Sequence, residues 1–202
     1  MNTATAKRLP KEMRRDQLLE TARTIVREEG TDMLTLGYLA ERAGVSKPIA
    51  YEHFKTRSGL LIALYRQIDD RQVNALLAAL ERTPRRLKEV ADVMSTAYMN
   101  CFHEVGPEWH AISAALKGDE EMERVQQELI DSYVELYCSA LAPYCDLPRK
   151  ELRVRCLAIL GAAEAIARET MNRRIGRDTA VSLLASLIVT WLPKAKGKSR
   201  SI

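Results

Sequence analysis

The chain is 202 residues long, 47% apolar and 29% charged, enough to bury a substantial core, and it carries a formal net charge of +4. No apolar run reaches the roughly 18 residues of a membrane span. The basic start, Met1 to Asp16, lacks the apolar centre of a secretion signal, and four cysteines in apolar contexts read as reduced core positions. These features argue against membrane and secreted classes; a cytoplasmic protein with no membrane partner is expected.

Charge is unevenly distributed. Residues 1–57 hold 11 basic against 8 acidic side chains, residues 58–193 hold 16 against 19, and residues 194–202 hold 4 against none. Basic ends around a slightly acidic middle suit a chain that meets nucleic acid at one end. Aromatics at 5% and only 9 glycines, among abundant Ala and Leu, favour helices.

Lys7, Arg8, Lys11, Arg14 and Arg15 make the start either an arm that touches phosphates or a minor groove, or a solvated terminus. The first helix is predicted over Arg14 to Glu29, where Leu18, Ala22, Ile25 and Val26 form one stripe closed by Gly30. Thr35 to Ala43 is a short amphipathic helix with Leu36, Leu39, Ala40 and Ala43 on one face, and Gly44 follows where a helix end often needs φ > 0. Ser46 is expected to cap the next helix. Its Ile49, Ala50 and Phe54 form the buried side, with Lys47, Tyr51, Glu52 and His53 more exposed. Two such short helices need the first to bury their apolar faces. The resulting three-helix unit presents its last helix outward, as a helix enters a major groove.

From Arg14 to Leu61 the chain resembles the DNA-binding domain of TetR-family (tetracycline-repressor-like) transcriptional regulators. The family pattern T-x-x-x-[IL]-A-x-x-A-G-V-S-x-G-x-[LI]-Y-x-[HY]-F-x-x-[KR]-x-x-L is met by Thr35, Leu39, Ala40, Ala43, Gly44, Val45, Ser46, Tyr51, His53, Phe54, Arg57 and Leu60. Pro48 departs from it, standing where Gly is usual, so base preference cannot be transferred from relatives that carry Gly. By position the resemblance implies phosphate contacts for Thr35, Tyr51 and Arg57. Lys47, Pro48, Ile49 and Glu52 are placed to face the groove, Lys47 being the strongest candidate for a guanine or phosphate contact. Ser46, His53 and Lys55 complete the expected DNA-binding set.

Beyond residue 57, Ser58 to Glu81 reads as a long amphipathic helix, broken by Thr83 and Pro84. Pro84 to Val105 forms the next, interrupted by Gly106 and Pro107, and Glu108 to Lys117 a short one ended by Gly118. Asp119 caps a helix reaching about Ala142, Pro148 opens one reaching about Asn172, and the last runs from about Asp178 to Leu192 before Pro193. The expected fold class is all-α, with an N-terminal helix-turn-helix domain over 1–57. A helical ligand-binding and dimerisation domain is expected over 58–193 and a basic, disordered tail over 194–202.

The last helix is apolar almost all round from Leu183 to Leu192, so it needs burial on every side. Small residues such as Ala158, Gly161, Ala162 and Ala165 on the preceding helix would permit close approach of a second copy. Family resemblance likewise implies a four-helix bundle across a two-fold axis. Ile159, Gly161, Ala162, Ile166, Leu184, Leu187, Ile188 and Trp191 are the expected dimer contacts. Met94, Tyr98, Cys101 and Phe102 share one helical face, with Trp109, His110, Tyr133, Tyr137, Glu164 and Arg168 as further candidates for a small-molecule pocket. For any one of these the alternative is an ordinary core position.

Enzymatic chemistry has little support: there is no Gly-rich phosphate loop, no G-x-S-x-G elbow and no H-E-x-x-H, and the three histidines are His53, His103 and His110. Cys101, His103, Glu104 and His110 match no strong zinc spacing, so no metal and no cofactor are expected. Cys138 and Cys145, seven apart in a continuous helix, would lie roughly 10 Å apart, too far for a disulfide. The expectation is a homodimeric, effector-relieved repressor on an inverted-repeat DNA operator. The alternatives are a DNA-binding protein of chromosome organisation and a metal- or thiol-based redox sensor.

Overall fold

A computed structural model describes residues 9–192, which are helical between short connections, with no β-strand among the described residues. The helices are α1 (Lys11–Glu29), α2 (Leu36–Arg42), α3 (Lys47–Phe54), α4 (Arg57–Glu81), α5 (Leu87–Ala115), α6 (Glu120–Leu141), α7 (Arg149–Met171) and α8 (Arg177–Trp191). Single 3-10 turns occupy Thr31–Met33 and Ala142–Tyr144. Lys7 and Arg8 of the expected arm, and the basic tail, lie outside the described residues. No helix among the described residues is long and apolar enough to cross a membrane.

The chain divides into two compact units. The first runs up to Ile68 and also takes in Glu108–Glu123, so it extends past the expected boundary at residue 57 and recruits a segment assigned by sequence to the second domain. Its buried apolar set includes Leu18, Ala22 and Ile25 of α1, Leu36, Leu39 and Ala40 of α2, Ala50 and Phe54 of α3, and Leu60, Leu61 and Leu64 of α4. The boundary differs because α4 is unbroken: its first turns supply core to the N-terminal helices before the chain moves on.

Gly106 and Pro107 do not divide two helices as expected, because α5 continues from Leu87 to Ala115 with Pro107 inside it. Interior proline removes a backbone donor and costs about 3 kcal/mol. Contacts just beyond it work against that cost. Buried Glu108 accepts hydrogen bonds from Arg23 Nε at 3.0 Å and Arg27 Nε at 2.8 Å, and Ile112 and Leu116 are buried. Asp119 caps α6 as expected, its Oδ1 accepting from Glu121 and Met122 N–H at 3.0 Å each.

The second unit comprises Asp69–Pro107 and the chain from Arg124 onwards. Val90, Ala91 and Met94 of α5, Val134, Tyr137 and Leu141 of α6, Leu152, Cys156, Ile159 and Ala163 of α7, and Ala180, Leu184 and Ile188 of α8 form its core. Cys145 lies beyond the end of α6, correcting the continuous helix assumed for Cys138 and Cys145, and all four cysteines are free thiols.

Candidate nucleic-acid interface

The helix-turn-helix is built by backbone chemistry at its turn. Thr35 caps α2, its Oγ1 accepting from Tyr38 N–H at 3.1 Å. At the other end Gly44 adopts φ 66°, allowing its N–H to reach Glu41 O at 3.1 Å and Val45 N–H to reach Ala40 O at 2.9 Å. These two bonds satisfy carbonyls that a helix end leaves orphaned, and glycine enters the left-handed region without a Cβ clash. Ser46 occupies the N-cap of α3, yet its side chain makes no capping bond, contrary to expectation. The reason lies in the next residues. Pro48 has no N–H to offer, and Ile49 N–H donates to the Ser46 carbonyl at 3.0 Å instead.

α3 buries Ala50 and Phe54 and leaves Lys47, Pro48, Tyr51 and Glu52 exposed, with Ile49 and His53 half-buried rather than divided between core and surface as expected. Lys47 does not stand free: a Cβ built on Gly37 would lie 3.6 Å from its Cε and 4.0 Å from its Nζ, so the side chain runs along the first turn of α2. Lys11, Arg14 and Arg15 belong to α1 and not to an arm. Arg15 donates from Nη1 to the His53 carbonyl at 3.2 Å and lies 5.0 Å over the Phe54 ring, tying α1 to the C-terminal end of α3. Lys11 approaches Glu52 at 3.9 Å, both side chains exposed. Burial, followed by the charges of Arg15 and Lys11 against the opposing pull of Glu52, lowers the pKa of His53.

The junction from α3 to α4 is tighter than its sequence suggests. Lys55 sits at φ 63°, ψ −56°, and Thr56 N–H reaches Phe54 O at 2.7 Å, which makes a γ-turn of the rare positive-φ form. Thr56 Oγ1 then accepts from Gly59 N–H at 2.9 Å, capping α4. The same turn drives the Phe54 carbonyl against α4: a Cβ on Gly59 would sit 2.4 Å from that oxygen. Arg57, expected on phosphate, donates to Leu34 O at 3.0 Å and Thr31 O at 2.7 Å, locking the start of α4 to the loop before α2. Sequence reasoning placed Arg15 in the basic start and missed Thr56 and Gly59; a glycine in the first turn of a helix was the available cue.

Residues 18–64 match the profile of bacterial regulatory proteins of the tetR family. Over these residues the chain is similar to the DNA-binding region of tetR-family regulators. Over 76 residues, 38% of this chain and 35% of the relative, the chain is 37% identical to the HTH-type transcriptional activator FasR of Mycolicibacterium smegmatis. Over 72 residues, 36% of this chain and 37% of the relative, it is 36% identical to the HTH-type transcriptional regulator BetI of Klebsiella pneumoniae. These alignments span little more than a third of either relative's length. A TetR-like transcriptional regulator from Rhodococcus sp. RHA1 shares the fold across 90% of this chain and 97% of its own, with a TM-score of 0.63 at 23% identity.

The second unit brings together part of the expected pocket set. Tyr98 and Phe102 stack with ring centroids 6.3 Å apart. Tyr133 donates a hydrogen bond to the carboxylate of Asp69, a buried residue the sequence reading passed over. Burial, reinforced by neighbouring groups, holds the Tyr133 and Tyr137 phenols and the Cys156 thiol strongly protonated, and pushes Cys101 up to about 12. A protonated thiol is a poor nucleophile, so the redox-sensor alternative gains no support. Trp109 and His110 belong to the first unit, where Trp109 packs edge-on to Tyr65 at 5.0 Å. Glu164 and Arg168 are exposed and pair with each other at 2.7 Å, one turn apart on α7.

The expected dimer set also needs correction. Ile159, Leu184 and Ile188 are fully buried in the protomer's own core and have no surface to present. Ala162, Ile166 and Leu187 are half-buried, and Gly161 is exposed with open space around it. The outward large apolar positions of α7 and α8 are Val154 at 66%, Leu157 at 51%, Met171 at 42%, Leu183 at 52%, Val189 at 37% and Trp191 at 41% exposure, of which only Trp191 was in the expected set. Buried Leu184 adjoins outward Leu183 and buried Ile188 adjoins outward Val189, a distinction of about 100° around the helix that periodicity alone left unresolved.

Proposed function

We propose that the chain is a sequence-specific DNA-binding transcriptional regulator. In this reading it acts as a homodimeric repressor that binds an inverted-repeat operator and releases it when a small molecule occupies the second unit. The observation that carries the proposal is the exposed row of α3, Lys47, Pro48, Tyr51 and Glu52, on a helix fixed by the Gly44 turn and the Arg15 clamp. The tetR-family match over residues 18–64 supports it. Exposed Val154, Leu157, Leu183 and Trp191 support self-association through α7 and α8, and the Tyr98, Phe102, Tyr133 and Tyr137 group supports an effector site.

The test begins with duplexes selected from a randomised pool by the full-length chain, followed by mobility shift at several salt concentrations. Affinity should fall steeply with salt because phosphate contacts release counterions. Tyr51→Phe should weaken binding without changing helical content. Gly161→Arg places a bulky charge in open space on the protomer, so it should leave the fold intact while shifting sedimentation towards monomer and lowering DNA affinity. Wild-type affinity in both Lys47→Ala and Tyr51→Phe would sink the DNA assignment, and a wild-type monomer at micromolar concentration would sink the dimer.

A further inference from the structure

We propose that α3 reads its half-site chiefly through thymine methyl groups packed against Pro48, a reading that rests on the chain being a sequence-specific DNA-binding regulator. The inventory of α3, Lys47 to Phe54, contains no Arg, Asn or Gln, the side chains that form the favoured paired hydrogen bonds with guanine or adenine. Its single lysine is directed along α2, with Cε 3.6 Å from where a Gly37 Cβ would stand, a position suited to backbone phosphate rather than a base edge. His53 is half-buried beside Arg15, which donates to its carbonyl. Glu52 is an acceptor only, able to address a cytosine amino group, and Lys11 approaches it at 3.9 Å. Ala50 and Phe54 are buried.

Ile49 is half-buried, and exposed Tyr51 is expected on phosphate by its motif position, which leaves Pro48 as the exposed apolar side chain at the N-terminal end of the recognition helix, the end whose residues reach base edges. It is exposed, it has no N–H to satisfy, and its ring holds one conformation, so docking orders nothing new. The major-groove edge of a base carries one apolar projection, the C5-methyl of thymine. A rigid apolar ring against that methyl discriminates thymine from cytosine and needs no hydrogen bond.

The experiment is a cycle between protein and DNA. Each thymine of the selected site is replaced by deoxyuridine, which removes only the methyl group, and affinity is measured for the full-length wild type, Pro48→Gly and Pro48→Ala, each checked for helical content. In the wild type, deoxyuridine at one or two defined thymines per half-site should weaken binding about fourfold each, the scale of one buried methylene-sized group. That penalty should vanish in Pro48→Gly and shrink in Pro48→Ala; if the glycine variant is unfolded, a shrunken penalty in the alanine variant supports the proposal. An equal penalty in the folded variants overturns it, since another side chain then reads the methyl. So does a wild type indifferent to deoxyuridine everywhere, while the regulator reading stands. Failure to select any motif overturns both.

Discussion

α2 and α7 end in the same backbone device reached by different residues. After α2, Gly44 takes φ 66°, with Gly44 and Val45 N–H groups returning to Glu41 and Ala40 carbonyls. After α7 it is Arg173 that takes φ 57°, and Arg173 and Arg174 N–H groups return to Thr170 and Glu169 carbonyls at 3.0 Å each. The first helix has 7 residues and the second 23. A helix of two turns has little packing with which to hold an L residue in the left-handed region, which costs about 1–2 kcal/mol, so its stop must be chemically encoded. A helix of six turns, buried through Leu152, Cys156, Ile159, Ala163 and Ala167, can impose that conformation on arginine.

The sharpest way to break this comparison uses glycines within helices. Gly59→Ala forces a Cβ to within 2.4 Å of the Phe54 carbonyl, backbone against backbone, and should lower stability by about 1–3 kcal/mol in urea unfolding and weaken DNA binding with it. Gly161→Ala meets open space within α7 and should be neutral or stabilising by up to about 1 kcal/mol through helix propensity. Equal losses in the two would mean that the γ-turn at Lys55 yields and the α3–α4 junction is not rigid.

A smaller effect tests the helix ends directly. Gly44→Ala should cost about 1 kcal/mol, whereas Arg173→Gly relieves a strained backbone, partly offset by the entropy glycine adds to the unfolded chain, for a gain of up to about 1 kcal/mol. Thermal melts of the two single variants read the opposite signs. Two losses would show that Arg173 contributes through its side chain.

The smallest expected effect is a pH dependence confined to the recognition helix. Burial depresses the His53 pKa below 6.5, so the folded state favours the neutral ring. The associated stability is present above 6.5 and is lost as pH falls through the folded-state value. Wild-type stability should therefore decline between about pH 7 and about pH 5 by more than that of His53→Gln. Identical slopes would place the acid-sensitive group elsewhere.

Legibility in the sequence followed the range of the interaction. α2, the Gly44 stop, the Asp119 cap and the extent of α4 were readable because each depends on residues within a turn or two, whereas Thr35, counted within the helix, caps it instead. Ser46 as a capping side chain was misread because Pro48, two positions on, removes the donor. The continuity of α5 through Pro107 was not readable, since the Arg23 and Arg27 guanidiniums that hold Glu108 come from 85 and 81 residues away. Arg57 was assigned to phosphate from its motif position, and only the fold turned its guanidinium onto Leu34 and Thr31 carbonyls.

By itself the sequence determined the helical class and the helix-turn-helix with its resemblance to tetR-family regulators, because apolar spacing and one obligatory glycine act locally and leave a pattern in consecutive residues. Tertiary structure alone decided which face of α7 and α8 is core, where Lys47 lies, and that Asp69 meets Tyr133 while Glu164 and Arg168 face solvent. Those outcomes depend on the angle at which whole helices pack. A rotation of a few tens of degrees exchanges a buried neighbour for an exposed one, and linear spacing fixes the width of an apolar stripe but not the direction it faces.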